Sequence, residues 1–287
     1  MKILAIGHSV EDHIHQNNEA IIKPGGVYYS VLGLSKMMSV NDEIHLVTAL
    51  QKSNEHLFSD IYGKINKKNI SWVDKIPKVH LIIHDSEERT ECYENVSKNL
   101  DVDYNMLNNF DGILINMITG FDIDLEQLQK IRRHFDGLIY LDVHSLSRGF
   151  DESKTRLFRQ IENFSQWASS VNLIQANELE AKTFFNFDNE LETAAEVLKY
   201  GTKFLIVTKG DAGARAYFNQ NDEIESVFVS AEKVNVNNKV GCGDIFGSVF
   251  FYNYLITKNV IGSLIAANYA AGQSASVQNL NEFRLRK

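Results

Sequence analysis

An α/β fold with a largely parallel sheet is predicted by three features of the sequence. Short apolar runs recur between longer segments of helical period. Several of those runs are apolar at every position, as strands covered by helices on both faces must be. With only 2 prolines and 17 glycines, no linker divides the 287 residues. The expected strands are Ile3 to Ile6, Ile44 to Ala49, Gly112 to Asn116, Leu138 to Asp142, Val171 to Gln175 and Phe204 to Thr208. Amphipathic helices are expected at Asn54 to Ile65, Asp124 to Phe135, Lys154 to Ala168 and Leu191 to Tyr200. Two regions break this rhythm, at about residues 10–22 and 76–96. In the second, Val79, Leu81 and Ile83, then Glu87, Arg89, Glu91 and Tyr93, alternate in period two, which suits a small antiparallel sheet standing off the main one as a lid. Residues 1–287 read as one domain with these lid segments inserted, and the open lid edges predict a homodimer paired through them.

Composition narrows the function. Lys plus Arg number 29 and Asp plus Glu 37, so the formal charge is 29 − 37 = −8. That acidity argues against nucleic acid as a partner, since phosphate neutralisation needs clustered basic residues. The 44% hydrophobic and 23% charged content is that of a globular protein. Cys92 and Cys242 lie 242 − 92 = 150 positions apart with no CxxC spacing, which predicts neither a disulfide framework nor a structural zinc site and fits a reducing compartment. The apolar run in Met1 to Gly7 is too short for a signal peptide, and no stretch approaches the roughly 18 apolar residues of a membrane span. A soluble, cytoplasmic protein with no membrane partner is expected.

The most informative segment is Asn237-Asn238-Lys239-Val240-Gly241-Cys242-Gly243-Asp244, followed by an apolar run from Ser248 to Ile256. Small residues at 241–243 before a helix let the backbone approach a ligand closely, and first-turn amides have no acceptor within the helix. Together with the helix dipole they suit an anion, including charge developing on a transferred phosphoryl group. Asp244, in the first turn, is placed to face a substrate hydroxyl as a general base. Read alone, the segment is equally a Gly-rich turn with an Asp cap. Other segments shift the balance. Lys23-Pro24-Gly25-Gly26-Val27 opens a helix to about Met38 with Val27, Val31, Leu34 and Met38 on one stripe, and Asp12 lies just past the first strand. At later strand ends stand Asp142 and His144, Asn177-Glu178-Leu179-Glu180, and Thr208-Lys209-Gly210-Asp211-Ala212-Gly213. Open α/β sheets bind ligands at that edge. No GxGxxG follows the first strand and no GxxxxGK[ST] occurs, which ranks a dinucleotide enzyme and a P-loop NTPase low.

In this order the segments resemble the ribokinase-like (PfkB) family of carbohydrate and nucleoside kinases, from Ile6-Gly7 to about Ser276. Val240-Gly241-Cys242-Gly243-Asp244 is similar to the family's GAGD signature with Cys in place of Ala. The resemblance implies a central, mostly parallel sheet flanked by helices on both faces, with a small β lid. It implies Asp244 as the base and Gly241, Cys242 and Gly243 as the anion hole. Asn177 and Glu180 match the NxxE motif, with Glu180 holding Mg²⁺ through water. Thr208, Gly210 and Gly213 match the nucleotide loop, Ala267 and Asn268 lie where the family borders adenine, and Asp12, Gly25 and Gly26 match acceptor-binding positions. ATP and Mg²⁺ are the implied cofactors and a sugar, cyclitol or nucleoside the implied partner.

The chain departs from the family at three places. Asn238-Lys239 stand where Asp-Thr is common, and since the Asp position often belongs to a monovalent-cation site, potassium activation is not expected. Ser30 replaces an Asn common among sugar kinases, and Tyr28-Tyr29 precede it. These changes keep two alternatives open: a nucleoside kinase with Tyr28 and Tyr29 as stacking surfaces, and a catalytically impaired sensor of the same fold. His8, His13 and His15 suggest a metal site but lack a second ligand set of matching spacing, so a packing or surface role is preferred.

Overall fold

The computed structural model describes residues 1–16, 19–82, 90–96, 99–152 and 155–285. Chain order runs β1 (Lys2–Ile6), β2 (Ser9–Gln16), β3 (Glu19–Gly26), α1 (Val27–Met37), β4 (Glu43–Leu50), α2 (Glu55–Tyr62), β5 (Ile70–Trp72), β6 (Lys78–Ile82) and β7 (Thr90–Glu94). It continues through β8 (Gly112–Asn116), α3 (Leu125–His134), β9 (Leu138–Asp142), β10 (Arg148–Phe150), β11 (Arg156–Phe158), α4 (Phe164–Ser169), β12 (Leu173–Asn177), α5 (Glu178–Ala181) and α6 (Glu190–Lys199). The last elements are β13 (Phe204–Thr208), β14 (Gly213–Gln220), β15 (Glu223–Ser230), α7 (Cys242–Thr257) and α8 (Val260–Ser276).

The main sheet has the order β15-β14-β13-β12-β9-β8-β1-β4-β5, and all its pairings from β13 to β5 are parallel. Both faces are apolar, as predicted. In β1, Ile3 and Ala5 pack with α1, α2, α7 and α8, while Leu4 and Ile6 pack with α3, α4 and α6. Each of these four side chains is fully buried, and burial of a residue the size of Ile is worth about 1.5–3 kcal/mol. The helix α7 is buried along most of its length, from Ile245 to Tyr252, so its N-terminal tip is fixed by packing rather than by its own propensity.

The lid is present as the four-stranded sheet β3-β2-β6-β7. The expected alternation at Ile83, Glu87 and Arg89 lies outside the described residues. One expected helix is corrected. The segment Lys154 to Ala168 begins outside the described residues and then forms β11, antiparallel to β10; helix resumes only at α4. Two features explain this. The buried Arg156 guanidinium donates to the carbonyls of Thr119 (2.6 Å) and Ser145 (3.3 Å), anchoring extended backbone, and Asn163 is left-handed at φ 53°. The strand expected at Val171 to Gln175 is β12, two residues later, because Asn172 Oδ1 accepts from the Ile139 amide and makes residue 172 an entry turn.

Candidate active site

The C-terminal ends of β8, β9, β12 and β13 each finish in a polar residue, namely Asn116, Asp142, Asn177 and Thr208, and these lie side by side because Asn116 pairs with Asp142 and Asn177 with Thr208. The tip of α7 meets the same edge. Gly241 is the N-cap at φ 80°, and a Cβ there would stand 2.4 Å from the Tyr29 ring, so both conformation and space demand glycine. Gly243 is different: a Cβ there would meet nothing within 4 Å, which leaves its amide open to close approach. Gln175 fastens this tip to the sheet, donating from Nε2 to the Gly243 carbonyl (3.1 Å) and to Asp142 Oδ2 (2.9 Å).

Beneath the lid lies a cavity of about 40 Å³ lined by Val10 and Asp12 of β2, Gly26 of β3, Val79 and Leu81 of β6, Glu91 and Tyr93 of β7, and below them Tyr29, Ile118, His144, Val240, Gly241 and Asp244. The lid strands alternate as predicted, one face turned to the cavity. Asp12 is buried and accepts from the Tyr29 hydroxyl at 3.2 Å; a Cβ on Gly25 would overlap its carboxyl at 2.2 Å. Burial and the charges of Asp12 and Asp244 raise the Tyr29 hydroxyl well above its usual range, keeping it a donor. Asp244 Oδ1 accepts from Asn116 Nδ2 at 2.6 Å. The structure therefore brings Asp12, Gly26, Gly241 and Asp244 to one cavity.

Behind Asp244 sits a second carboxylate. Burial pushes the Asp142 carboxyl well above the ordinary range, and the charges of Asp244 and Glu180 add to the effect. Glu180 faces Arg148 Nη2 and His144 Nδ1, each at 3.6 Å, and Arg148 Nη1 lies 3.7 Å from Glu91 on the lid. Arg148 was not foreseen from the sequence, because the hairpin that carries it occupies the segment leading into the misassigned helix. Glu91 was seen only as part of the lid alternation.

Asn177 and Glu180 also form a capping box: Asn177 Oδ1 accepts from the amides of Leu179 and Glu180, and Glu180 Oε2 accepts from the Asn177 amide, all at 2.9 Å. Gly210 (φ 56°) and Gly213 (φ 123°) make the turn between β13 and β14, and Thr208 Oγ1 reaches the Ala176 carbonyl at 3.5 Å. The two residues expected at an adenine border do not line the cavity beneath the lid. Ala267 is fully buried in the core, and Asn268 Nδ2 donates to the Val229 carbonyl at 2.9 Å, tying α8 to β15. Tyr28 is likewise no stacking surface, since its ring packs on Phe58 and Tyr62 and its hydroxyl donates to Asp60. Asn238 folds onto its own loop, bonding the Val240 amide and carbonyl at 3.1 Å, and Lys239 is exposed outside the cavity. The histidines pack as expected: buried His8 on Asp122, His13 on Glu11, and His15 on His80. Among the described residues no group of three or more His, Cys, Asp or Glu is arranged to hold a metal ion directly, and no helix is long and apolar enough to cross a membrane.

Comparisons with known proteins agree on the fold. Residues 147–285 match the model of the pfkB family carbohydrate kinases. A pyrophosphate-dependent kinase in the ribokinase family, solved with a pyrophosphate analog and myo-inositol, superposes with TM-score 0.77 at 13% identity, over 96% of this chain and 95% of the other. The ribokinase of Thermotoga maritima gives TM-score 0.74 at 18% identity (99% and 95% covered), and that of Arabidopsis thaliana, solved with ribose and ATP, gives 0.74 at 15% (97% and 93%). No curated protein sequence matches this chain.

Proposed function

We propose, for a chain whose residues 147–285 match the model of the pfkB family carbohydrate kinases and whose fold is ribokinase-like, that it transfers a phosphoryl group from ATP to a hydroxyl of a small uncharged polyol, a sugar or a cyclitol. One observation carries this reading: Asp244 stands in the first turn of α7 and lines the lid-covered cavity together with Gly241. Charge limits the acceptor. The carboxylates of Asp12, Glu91 and Asp244 line the cavity together with His144, and its lining has no Lys or Arg. An acid or phosphate group on the acceptor would meet three carboxylates, whereas hydroxyls can donate to them.

The steps follow from the residues. Asp12 accepts from hydroxyls of the acceptor and orients it. Asp244 takes the proton of the reacting hydroxyl as its oxygen bonds to the terminal phosphorus of ATP and the bond to ADP breaks. The amides at 241–243 offset charge on the transferred group. Val10, Val79, Leu81 and Tyr93 exclude water, which would otherwise compete as acceptor. The donor side fits Mg²⁺: Glu180 and Asp142 share one neighbourhood, where their charges disfavour each other. Glu180 and Asp142 would hold the ion there through water, and its chemistry would be to neutralise charge on the phosphates of the donor.

A pyrophosphate donor is the second reading, favoured by Ala267 being fully buried and Asn268 being bonded to the Val229 carbonyl, where the resemblance implies contacts with adenine. A screen of ribose, myo-inositol, their acid or phosphate derivatives and adenosine, each with Mg-ATP or Mg-pyrophosphate, decides acceptor and donor together. Transfer to neutral polyols is expected, with Asp244→Asn lowering kcat by on the order of 100-fold or more. Unchanged turnover in that variant removes the base assignment, and thermal stabilisation without transfer to any acceptor identifies a binder.

A further inference from the structure

The cleft holds one more group whose contacts point to a role. Asn116 is fully buried at the end of β8, and its Nδ2 donates both to Asp244 Oδ1 (2.6 Å) and to Ser30 Oγ of α1 (2.9 Å). Its Oδ1 is buried with no hydrogen-bond partner. An amide placed for packing would give its oxygen a donor, since a buried orphan acceptor is costly. Turning the amide over would set Asn116 Oδ1 against the Asp244 carboxylate, so the charge of Asp244 fixes the orientation, and the unpaired oxygen is the consequence.

We infer that Asn116 is a positioning residue of the base, holding one oxygen of Asp244 so that the carboxylate keeps its charge and its direction at the cavity. The surroundings favour such a donor. Ionisable groups near Asp244 are Asp142 and Tyr140 of β9, Tyr29 of α1, Asp12 of β2, Glu91 of β7 and His144 after β9. The carboxylates among them oppose a further negative charge. A short N–H···O⁻ bond favours the charged form and restricts rotation of the carboxyl. The two bonds of Nδ2 also couple α1 to the tip of α7 through one side chain, so the acceptor wall formed by Tyr29 and the base keep a common register.

This inference rests on Asp244 being the base, and its test is independent of turnover. The full chain is labelled with ¹³C at the aspartate carboxyl carbons, and the Asp244 resonance is assigned by its loss in Asp244→Asn. The titration midpoint is then compared between wild type, Asn116→Leu and Asn116→Asp, each shown to be folded by its melting curve. Both variants are expected to move the Asp244 midpoint upward, Leu by about one pH unit and Asp by more, because it adds an acceptor where the donor was. If Asn116→Leu does not fold, Asn116→Ala makes the same comparison without added volume. A midpoint that stays within about 0.2 units in the folded variants overturns the inference. Full turnover by Asp244→Asn would instead overturn the base assignment and leave the measured coupling in place.

Discussion

The two ends of the cleft are built by opposite means. At the acceptor end the chain makes room by omitting side chains: Gly241 lies under the Tyr29 ring and Gly25 against the Asp12 carboxyl, each too close for a Cβ. At the donor end it adds side chains that finish helices and turns, with Asn177 and Glu180 capping α5 and Asn268 holding β15. The difference teaches how to weigh a motif. Asn177 and Asn268, at the proposed donor end, have local structural partners, so their presence alone says little about chemistry. Residues at the acceptor end leave backbone and carboxylates facing a cavity, which folding does not require.

The largest expected effect tests the acceptor end. Gly241→Ala forces a side chain onto a left-handed residue and into the Tyr29 ring, and should lose about 2 kcal/mol of stability together with on the order of 100-fold in turnover. Gly243→Ala is its counterpart: with open space at the site, stability should hold within about 0.5 kcal/mol. Equal destabilisation of the two, measured by denaturant melts, would break the contrast. At the donor end, Asn177→Ala should lose about 1 kcal/mol through the missing cap, whether or not any donor is bound. A stability unchanged in the absence of ligand would mean the cap is not structural there.

The smallest effect has the opposite sign. Because the folded-state pKa of Asp142 is raised, the folded protein binds a proton that the unfolded chain releases, and stability falls as pH rises from the ordinary carboxylate range, about 4, through the raised value. Asp142→Asn removes that dependence. Its Tm should exceed that of wild type at neutral pH and converge with it below about pH 4. A gap that is constant with pH would show that Asp142 does not titrate in this way.

Much of this architecture was legible. Strands ended where apolar runs ended, the lid strands announced themselves by alternation, and the Gly241-Cys242-Gly243-Asp244 tip sat on a helix as expected. The misses have physical causes. Helical spacing in residues 154–168 hid a hairpin that is held by tertiary bonds from Arg156, which no local pattern encodes. Ala267 and Asn268 were placed by resemblance, and no local pattern tells that the first is buried in the core and the second bonds the Val229 carbonyl. Asn116 had a readable signal: it is the polar last residue of an otherwise apolar strand, as is Asp142. Tyr28 and Tyr29 look alike in sequence, but one helical step of 100° sends the first into the core and the second to the cavity.

The hairpin of β10 and β11 gives the lid an asymmetry. Its β2–β3 margin is continuous with β1 and α1 through the chain itself, whereas β7 is moored by a guanidinium stacked on Tyr93 (Arg156, 4.0 Å) and another facing Glu91 (Arg148). Covalent hinges are indifferent to dissolved electrolyte and ionic moorings are not. The mooring of β7 therefore depends on side-chain charge in a way that the chain-borne attachment of β3 does not.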